Sequence, residues 1–221
     1  YILWGGQQVL TSTPNPFNAL AGDKIGSAAN DLVNGTSAAN RLIGGLGDDE
    51  IHGNGGSDLI YAGAGDDRIY LNQSNLTTTG LRIDGGGGFD LIEVDGSGIN
   101  LDLTQFNSNE ISNVEAFDIT GSGNAGNSIN LRIHDVMEFG HYNQFNVDPG
   151  ATDTRKQLMI TGDSSDTVHL GANWTTEWVS PLSNGTYTDP NGHNYLVLNS
   201  VSGNMQLLVD ETIYNAGRLT I

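Results

Sequence analysis

Between Gly44 and Tyr70 the chain repeats three times at a period of nine residues, as GGLGDDEIH, GNGGSDLIY and AGAGDDRIY. Every copy has Asp in its sixth place and Ile in its eighth. Few folds accept such a period. Glycine provides the positive φ and close backbone approach of a tight turn, and the aliphatic eighth residue marks a short strand with one side in a core. The pattern G-G-x-G-x-D-x-U-x is that of a parallel coil. Two nonapeptides complete one coil, so alternate copies stack as parallel strands about 4.8 Å apart and Asp49 lies directly above or below Asp67.

The turns carry chemistry as well as shape. Glycine turns curl their carbonyl oxygens inward, and a short carboxylate beside them completes a set of hard oxygens. Calcium takes roughly six to eight such ligands at about 2.3–2.6 Å. The three copies therefore nominate Gly44, Gly45, Gly47 and Asp49, then Gly53, Gly55, Gly56 and Asp58, then Gly63, Gly65 and Asp67 as calcium ligands. The register runs backward without a gap through GTSAANRLI, starting at Gly35, to GSAANDLVN, starting at Gly26. These poorer copies add Asn40 and Asp31, with Ala where Gly is preferred. A further copy, GGGGFDLIE from Gly85, adds Gly86, Gly88 and Asp90 after a polar interruption over 71–84, expected to be a loop thrown out of the coil. One face would hold Asp31, Asp49 and Asp67, while the opposite face would hold Asn40 and Asp58. Asp48 stands outside the repeat's fixed positions, so its loss should be nearly silent.

Residues 26–93 resemble the RTX (repeats in toxin) family of secreted bacterial proteins. That resemblance implies a calcium-loaded β-roll, export through a type I secretion channel, folding outside the cell, and a Gram-negative source. Composition agrees independently: 26 acidic residues against 8 basic ones leave a net charge of −18. A chain this acidic repels itself unless cations are bound. Lys24 and Lys156 are the only lysines, and no basic cluster is present to neutralise phosphates, so nucleic acid is excluded as a partner. The chain has no Cys, so stability outside the cell would rest on bound metal and packing. No apolar run approaches the roughly 18 residues that cross a bilayer, and YILWGGQQVL lacks the basic flank of a signal peptide. The chain reads as part of a larger multidomain protein.

A division near residue 94 is expected, with 1–93 as lead-in and roll and 94–221 as a β-rich, partly antiparallel module. Ile99, Leu101 and Leu103 alternate, as do residues 114–119 and Ile129, Leu131 and Ile133, which predicts half-buried strands. IHDVMEFG, starting at Ile133, is the one candidate helical turn, with Asp135 as its cap; residues 141–157 read as a long loop. In LMITGDSSDTVHL, starting at Leu158, Asp163 and Asp166 form a shortened acidic turn nominated as an extra calcium site. Asn184-Gly185 and Asn191-Gly192 are turn dipeptides around the C-terminal hairpins. The phrases EAFDITG, INLRIHDV and GDSSDTVHL occur in this order, and the half that contains them resembles modules of very large bacterial surface RTX adhesins. Together the two resemblances cover residues 26–213 and imply a role in cell or surface attachment and biofilm.

Catalytic machinery is not visible. The chain lacks a G-x-S-x-G nucleophile elbow and an H-E-x-x-H zinc helix. GSGNAG, starting at Gly121, satisfies G-x-G-x-x-G, but the segment after it alternates like a strand where a dinucleotide site opens a helix. The five histidines are scattered and read as surface or loop residues. Asp pairs that calcium would hold ionised cannot supply the raised-pKa acid of a glycosidase. Aromatic residues concentrate between Trp174 and Tyr195. Trp174, Trp178, Tyr187, Asp189 and Tyr195 are therefore nominated as a ligand site for a cell-surface glycan or peptide, with packing of the last hairpins as the competing explanation.

The sequence thus reads as a non-enzymatic, all-β, calcium-binding module of a secreted RTX adhesin, located outside the cell or on the bacterial surface. Two alternatives stand beside it: a calcium-stabilised carbohydrate- or peptide-binding domain, and the C-terminal RTX region of a secreted protease or lipase. Folding should be coupled to calcium, with half-saturation at about 10⁻⁴ to 10⁻³ M. Circular dichroism and thermal melting should both change on adding excess chelator; unchanged curves would show the repeats misread.

Overall fold

The computed structural model describes residues 23–142, 144–145, 147, 154–171, 178 and 185–220. Strands dominate, and they lie in three sheets. The first is wholly parallel, in the order β1 (Asp23–Ile25), β3 (Arg41–Leu46), β5 (Leu59–Ala64), β7 (Arg82–Gly87), β10 (Ile111–Ser112). The second begins with parallel β2 (Leu32–Asn34), β4 (Glu50–His52), β6 (Arg68–Leu71) and β8 (Leu91–Val94), and continues in parallel through β11 (Ala116–Asp118), β14 (Lys156–Thr161) and β18 (Met205–Asp210). It closes with antiparallel β17 (Asn194–Asn199) and β16 (Thr186–Thr188). The third sheet is parallel, in the order β9 (Asn100–Asp102), β12 (Ser128–Leu131), β15 (Thr167–Leu170), β19 (Leu219–Thr220).

The nine-residue period appears directly as register. Leu42 pairs with Ile60 on one sheet and Ile51 with Ile69 on the other, each pair two nonapeptides apart. The next steps, Ile60 to Ile83 and Ile69 to Ile92, are longer because the interruption holds an extra helical turn, α1 (Gln73–Thr77). These aliphatic residues are all but fully buried and form one column of the core. Glycine is required where strands β3, β5 and β7 run into their turns. Gly45, Gly63 and Gly86 all have φ above +100°, and a Cβ on any of them would collide with the carbonyl oxygen of the coil before it.

The expected boundary at 93/94 is not a break in this ladder. Ile92 pairs with Phe117, Phe117 with Ile160, and Ile160 with Val209, all in parallel. After β8 the chain alternates between the second sheet and the third, touching the first once more at β10, where earlier it shuttled between the second and the first. The coil therefore continues with longer connections, and the period is lost because the turns vary in length while the strands still stack.

Two expectations about the second half are corrected. Strands β9 and β12 alternate as expected, but in β11 Ala116 and Phe117 are both buried, and β14, β17 and β18 are buried on both faces. A second apolar layer of Ala116, Phe145, Met159, Tyr195, Val197 and Leu208 covers the outer side of the sheet. Residues 141–157 contribute to that layer through Phe145, and to the sheet through β13 (His141–Tyr142), antiparallel to β14. The predicted helical turn is present as α2 (Ile133–Phe139), but its N-cap is Arg132, and Asp135 acts from the third helical position by accepting the Arg132 backbone N–H at 2.6 Å. Among the described residues no helix is long and apolar enough to cross a membrane.

Phe117 is fully buried at the middle of the shared column. Phe117→Ala should cost about 3–5 kcal/mol of stability, read from urea unfolding in calcium, and should lower the melting of both halves together. Separate transitions, with only the C-terminal half affected, would contradict a continuous core.

Candidate metal centre

The sixth-position acids build a column along one face. Asp49 Oδ1 accepts the backbone N–H of Asp31 at 2.8 Å, Asp67 Oδ1 that of Asp49 at 2.8 Å, and Asp90 Oδ1 that of Asp67 at 2.9 Å. Each carboxylate is thus pinned by one oxygen to the coil before it. The second oxygens, Oδ2 of Asp49, Asp67 and Asp90, are buried and have no hydrogen-bond partner. An unpaired buried carboxylate oxygen is strongly unfavourable, so three in one row mark a place built for a cation.

The surroundings of those oxygens fit calcium. A Cβ on Gly44 would press into both Asp49 Oδ2 and the Ala62 carbonyl oxygen, and one on Gly26 would meet Asp31 Oδ2 at 3.0 Å and the Gly44 carbonyl oxygen. Carbonyls and carboxylates from adjacent coils therefore border the same small volume. Among the described residues no three His, Cys, Asp or Glu side chains converge on one point, so backbone carbonyls must supply most ligands. A donor set of this kind, all hard oxygen, suits calcium and not zinc or copper. Asp31 differs from its successors: its Oδ2 accepts from Ser27 N and Oγ at 2.6 and 2.7 Å, which makes the first copy the least demanding of an ion.

Electrostatics point the same way. Burial pushes Asp67 up to about 6, with Asp49, Asp48 and Asp66 adding like-charge repulsion. Burial, then Glu115 and Asp67, pushes Asp90 up to about 7. Asp49 is also raised, chiefly by burial. Without a cation these groups are harder to ionise than an exposed aspartate.

The opposite face, where Asn40, Gly53, Gly55, Gly56 and Asp58 are the expected ligands, is arranged differently. The side chain of Asn75, fully buried on α1, enters the turn that holds Gly53, Gly55 and Gly56. Its Nδ2 donates to Asp58 Oδ2 at 2.8 Å and to the Gly56 carbonyl at 3.3 Å, and its Oδ1 accepts from Gly55 N at 3.0 Å. In this structure an amide thus fills the turn and satisfies its carbonyl and carboxylate oxygens. Asp58 Oδ1 accepts from Asn40 N, and Asn40 Oδ1 accepts from Thr36 N and Oγ1. Both oxygens of Asp58 are therefore satisfied, although burial still raises that group to about 6. The proposed acidic turn near 163 is likewise closed on itself. Asp166 accepts Asn127 N on one oxygen and Asp163 N on the other, at 2.7 Å each, while Ser165 bonds Asp163 and holds it low.

Several participants escaped the sequence reading. Glu115 Oε2 accepts Asp90 N at 2.6 Å and so takes the next rung of the column; the Glu-x-aromatic spacing to Phe117 was its signal. His141 Nδ1 lies 2.8 Å from Glu115 Oε1, and that bond raises the histidine. Asn127 repeats the part of Asn75, with Nδ2 donating to the Ile119 and Gly96 carbonyls at 2.8 and 3.1 Å. Asp48 is not idle: it accepts Asp66 N at 2.9 Å, and Asp66 accepts Phe89 N at 2.8 Å, a second column at the exposed rim.

The nominated ligand site does not assemble as one surface. Trp178 and Tyr195 are buried at 3% and 2% exposure and pack in the core layers, so neither of these rings is open to a ligand. Tyr187 lies partly exposed against Tyr195 and Phe145. Asp189 spends its Oδ1 on the backbone N–H groups of Asn191 and His193 within its own turn. Trp174 lies outside the described residues.

The comparisons with known proteins come to one match. Residues 25–60 and 43–75 fit the RTX calcium-binding nonapeptide repeat, in four copies. No curated protein and no solved structure matches the chain.

Two predictions follow from the unequal faces and the raised carboxylates. Asp67→Asn should weaken calcium binding in calorimetric titration at least tenfold, while Asp58→Asn should leave it nearly unchanged; equal losses would contradict the asymmetry. Groups raised from 3.8 to about 6 and 7 favour the folded state most below the unfolded value and lose that contribution as pH rises through the folded one. In chelator, the melting temperature should therefore fall from about pH 4 to about pH 7, while the increment added by calcium should grow over the same window. A flat increment would show that these acids do not meet the ion.

Proposed function

Taking this chain as a member of the RTX family, whose nonapeptide repeats bind calcium, we propose that it is a calcium-locked structural module of a secreted bacterial adhesin. It would serve outside the cell or on its surface, as part of a larger multidomain chain. The observation that carries the calcium reading is the row of buried, unpartnered oxygens on Asp49, Asp67 and Asp90. Bound calcium supplies the positive charge that lets this row ionise and draws adjacent coils together. The residues do the rest: the glycine turns present carbonyls, the aliphatic column fixes the spacing, and the pinned Oδ1 atoms aim Oδ2.

The adhesin assignment rests on the order of the phrases at 115–121, 129–136 and 162–170 and on the absence of a recognisable nucleophile or base constellation in the sequence. A stiff spacer role is favoured over ligand recognition because Trp178 and Tyr195 are committed to packing and Asp189 to its own turn. Export in an unfolded state suits a chain whose repeats are self-repelling without the ion.

The test has two readings. Protease resistance should be low at about 10⁻⁷ M free calcium and high at about 10⁻³ M, the contrast between a cell interior and an extracellular medium. On glycan and peptide arrays, with and without chelator, a structural spacer should give no calcium-dependent signal. A calcium-dependent signal lost in Tyr187→Ala would instead establish a binding domain.

A further inference from the structure

The column of acids does not end with the last nonapeptide. Beyond Asp90 the next coil reaches the same face through Asn113-Val114-Glu115, where the repeats would spend six residues on the turn from first to sixth place. Asn113 takes the left-handed conformation at φ +52°, one that asparagine tolerates better than most residues. Its carbonyl oxygen stands where the first-place carbonyls of Gly44 and Ala62 stand in the coils before. A Cβ on Gly85 would press into that oxygen and would meet Asp90 Oδ2 at 2.6 Å. This is the same pairing of a carbonyl and an Oδ2 that borders the volume beside Gly44.

Glu115 completes the likeness. The turn is shorter than in the repeats, and glutamate is longer than aspartate by one methylene. Its Oε2 accordingly reaches the Asp90 N–H at 2.6 Å, the contact that Asp90 itself makes to Asp67. Glu115 is 1% exposed, and its other oxygen faces His141. Asp90, also 1% exposed, keeps Oδ2 without a partner and directed at this junction. The next strand, β11, is hydrogen-bonded to β8 on one side and β14 on the other.

We propose that Asp90, the Asn113 carbonyl and Glu115 form a further divalent-cation site that fastens the last repeat coil to the first non-repeat coil. This rests on the reading that the roll binds calcium, and extends it to residues outside the repeats. The consequence is coupling: a cation here draws on both sides of residue 94, so calcium orders strands β11 and β14, which carry no repeat of their own.

Glu115→Gln keeps the size of the side chain and an acceptor for Asp90 N–H while removing the charge, and Glu115→Asp keeps the charge while withdrawing it. Calcium stoichiometry from metal analysis after gel filtration should fall by one ion per chain in Glu115→Gln. In the same variant, calcium-dependent protection from hydrogen exchange should be lost at 116–118 and 156–161 and retained at 41–64. Glu115→Asp should bind the full number of ions with at least threefold weaker affinity for the last. Unchanged stoichiometry and unchanged protection in Glu115→Gln, with Asp67→Asn still losing calcium, would overturn the junction site alone. A wild-type chain that takes up no calcium would overturn the calcium reading and this site with it.

Discussion

The structure depends on one repeated contact: a carboxylate oxygen of each coil accepts the backbone N–H of the acidic residue in the coil before it. This contact runs from Asp31 through Asp49, Asp67 and Asp90 to Glu115. It sets the vertical spacing of the coils and leaves the second oxygen of each middle carboxylate in a volume with no protein donor. The aliphatic column beside it contributes burial, at about 25 cal/mol per Å² of apolar surface, and tolerates the stacking. It cannot offset a row of buried like charges. A hard divalent cation removes that conflict where the row is acidic.

Elsewhere the same fold solves the same problem without a metal. Where Asn75 and Asn127 enter the turns, the amide nitrogen donates to the carbonyls that would otherwise surround an ion, and the amide oxygen accepts a backbone N–H. The substitution of a neutral donor for a cation explains how the coil continues past the repeats in a chain with few basic residues. On the proposed reading it also divides the molecule: one face would answer to calcium, while the rest is held by hydrogen bonds and packing.

How much of this could be read from sequence follows from what each residue answers to. The repeats over 26–93 were legible because turn geometry dictates Gly and core geometry dictates the aliphatic residue, both at fixed spacing. Asp49 and Asp67 were placed on one face correctly because two nonapeptides close a coil. Asn75 was hidden because it sits in the interruption, where no period applies, and reaches its turn only through a helical insertion. Glu115 was hidden by a shortened turn, although its spacing to Phe117 preserves the acid-x-apolar rule. Trp178 and Tyr195 were misplaced because the layer that buries them draws on Phe145, Met159 and Leu208, residues whose meeting depends on strand order. Sheet order beyond β8 reflects parallel stacking at steps of several tens of residues, which leaves no local pattern.

The cations should lie on one side of the roll. Diffraction from calcium-loaded crystals, collected where calcium scatters anomalously, locates each ion directly. Anomalous peaks should follow the side of Asp49, Asp67 and Asp90, with none beside Asp58, where the Asn75 amide remains seated. An ion bound against Asp58 with Asn75 displaced, or a bare row at Asp49 and Asp67, would contradict it.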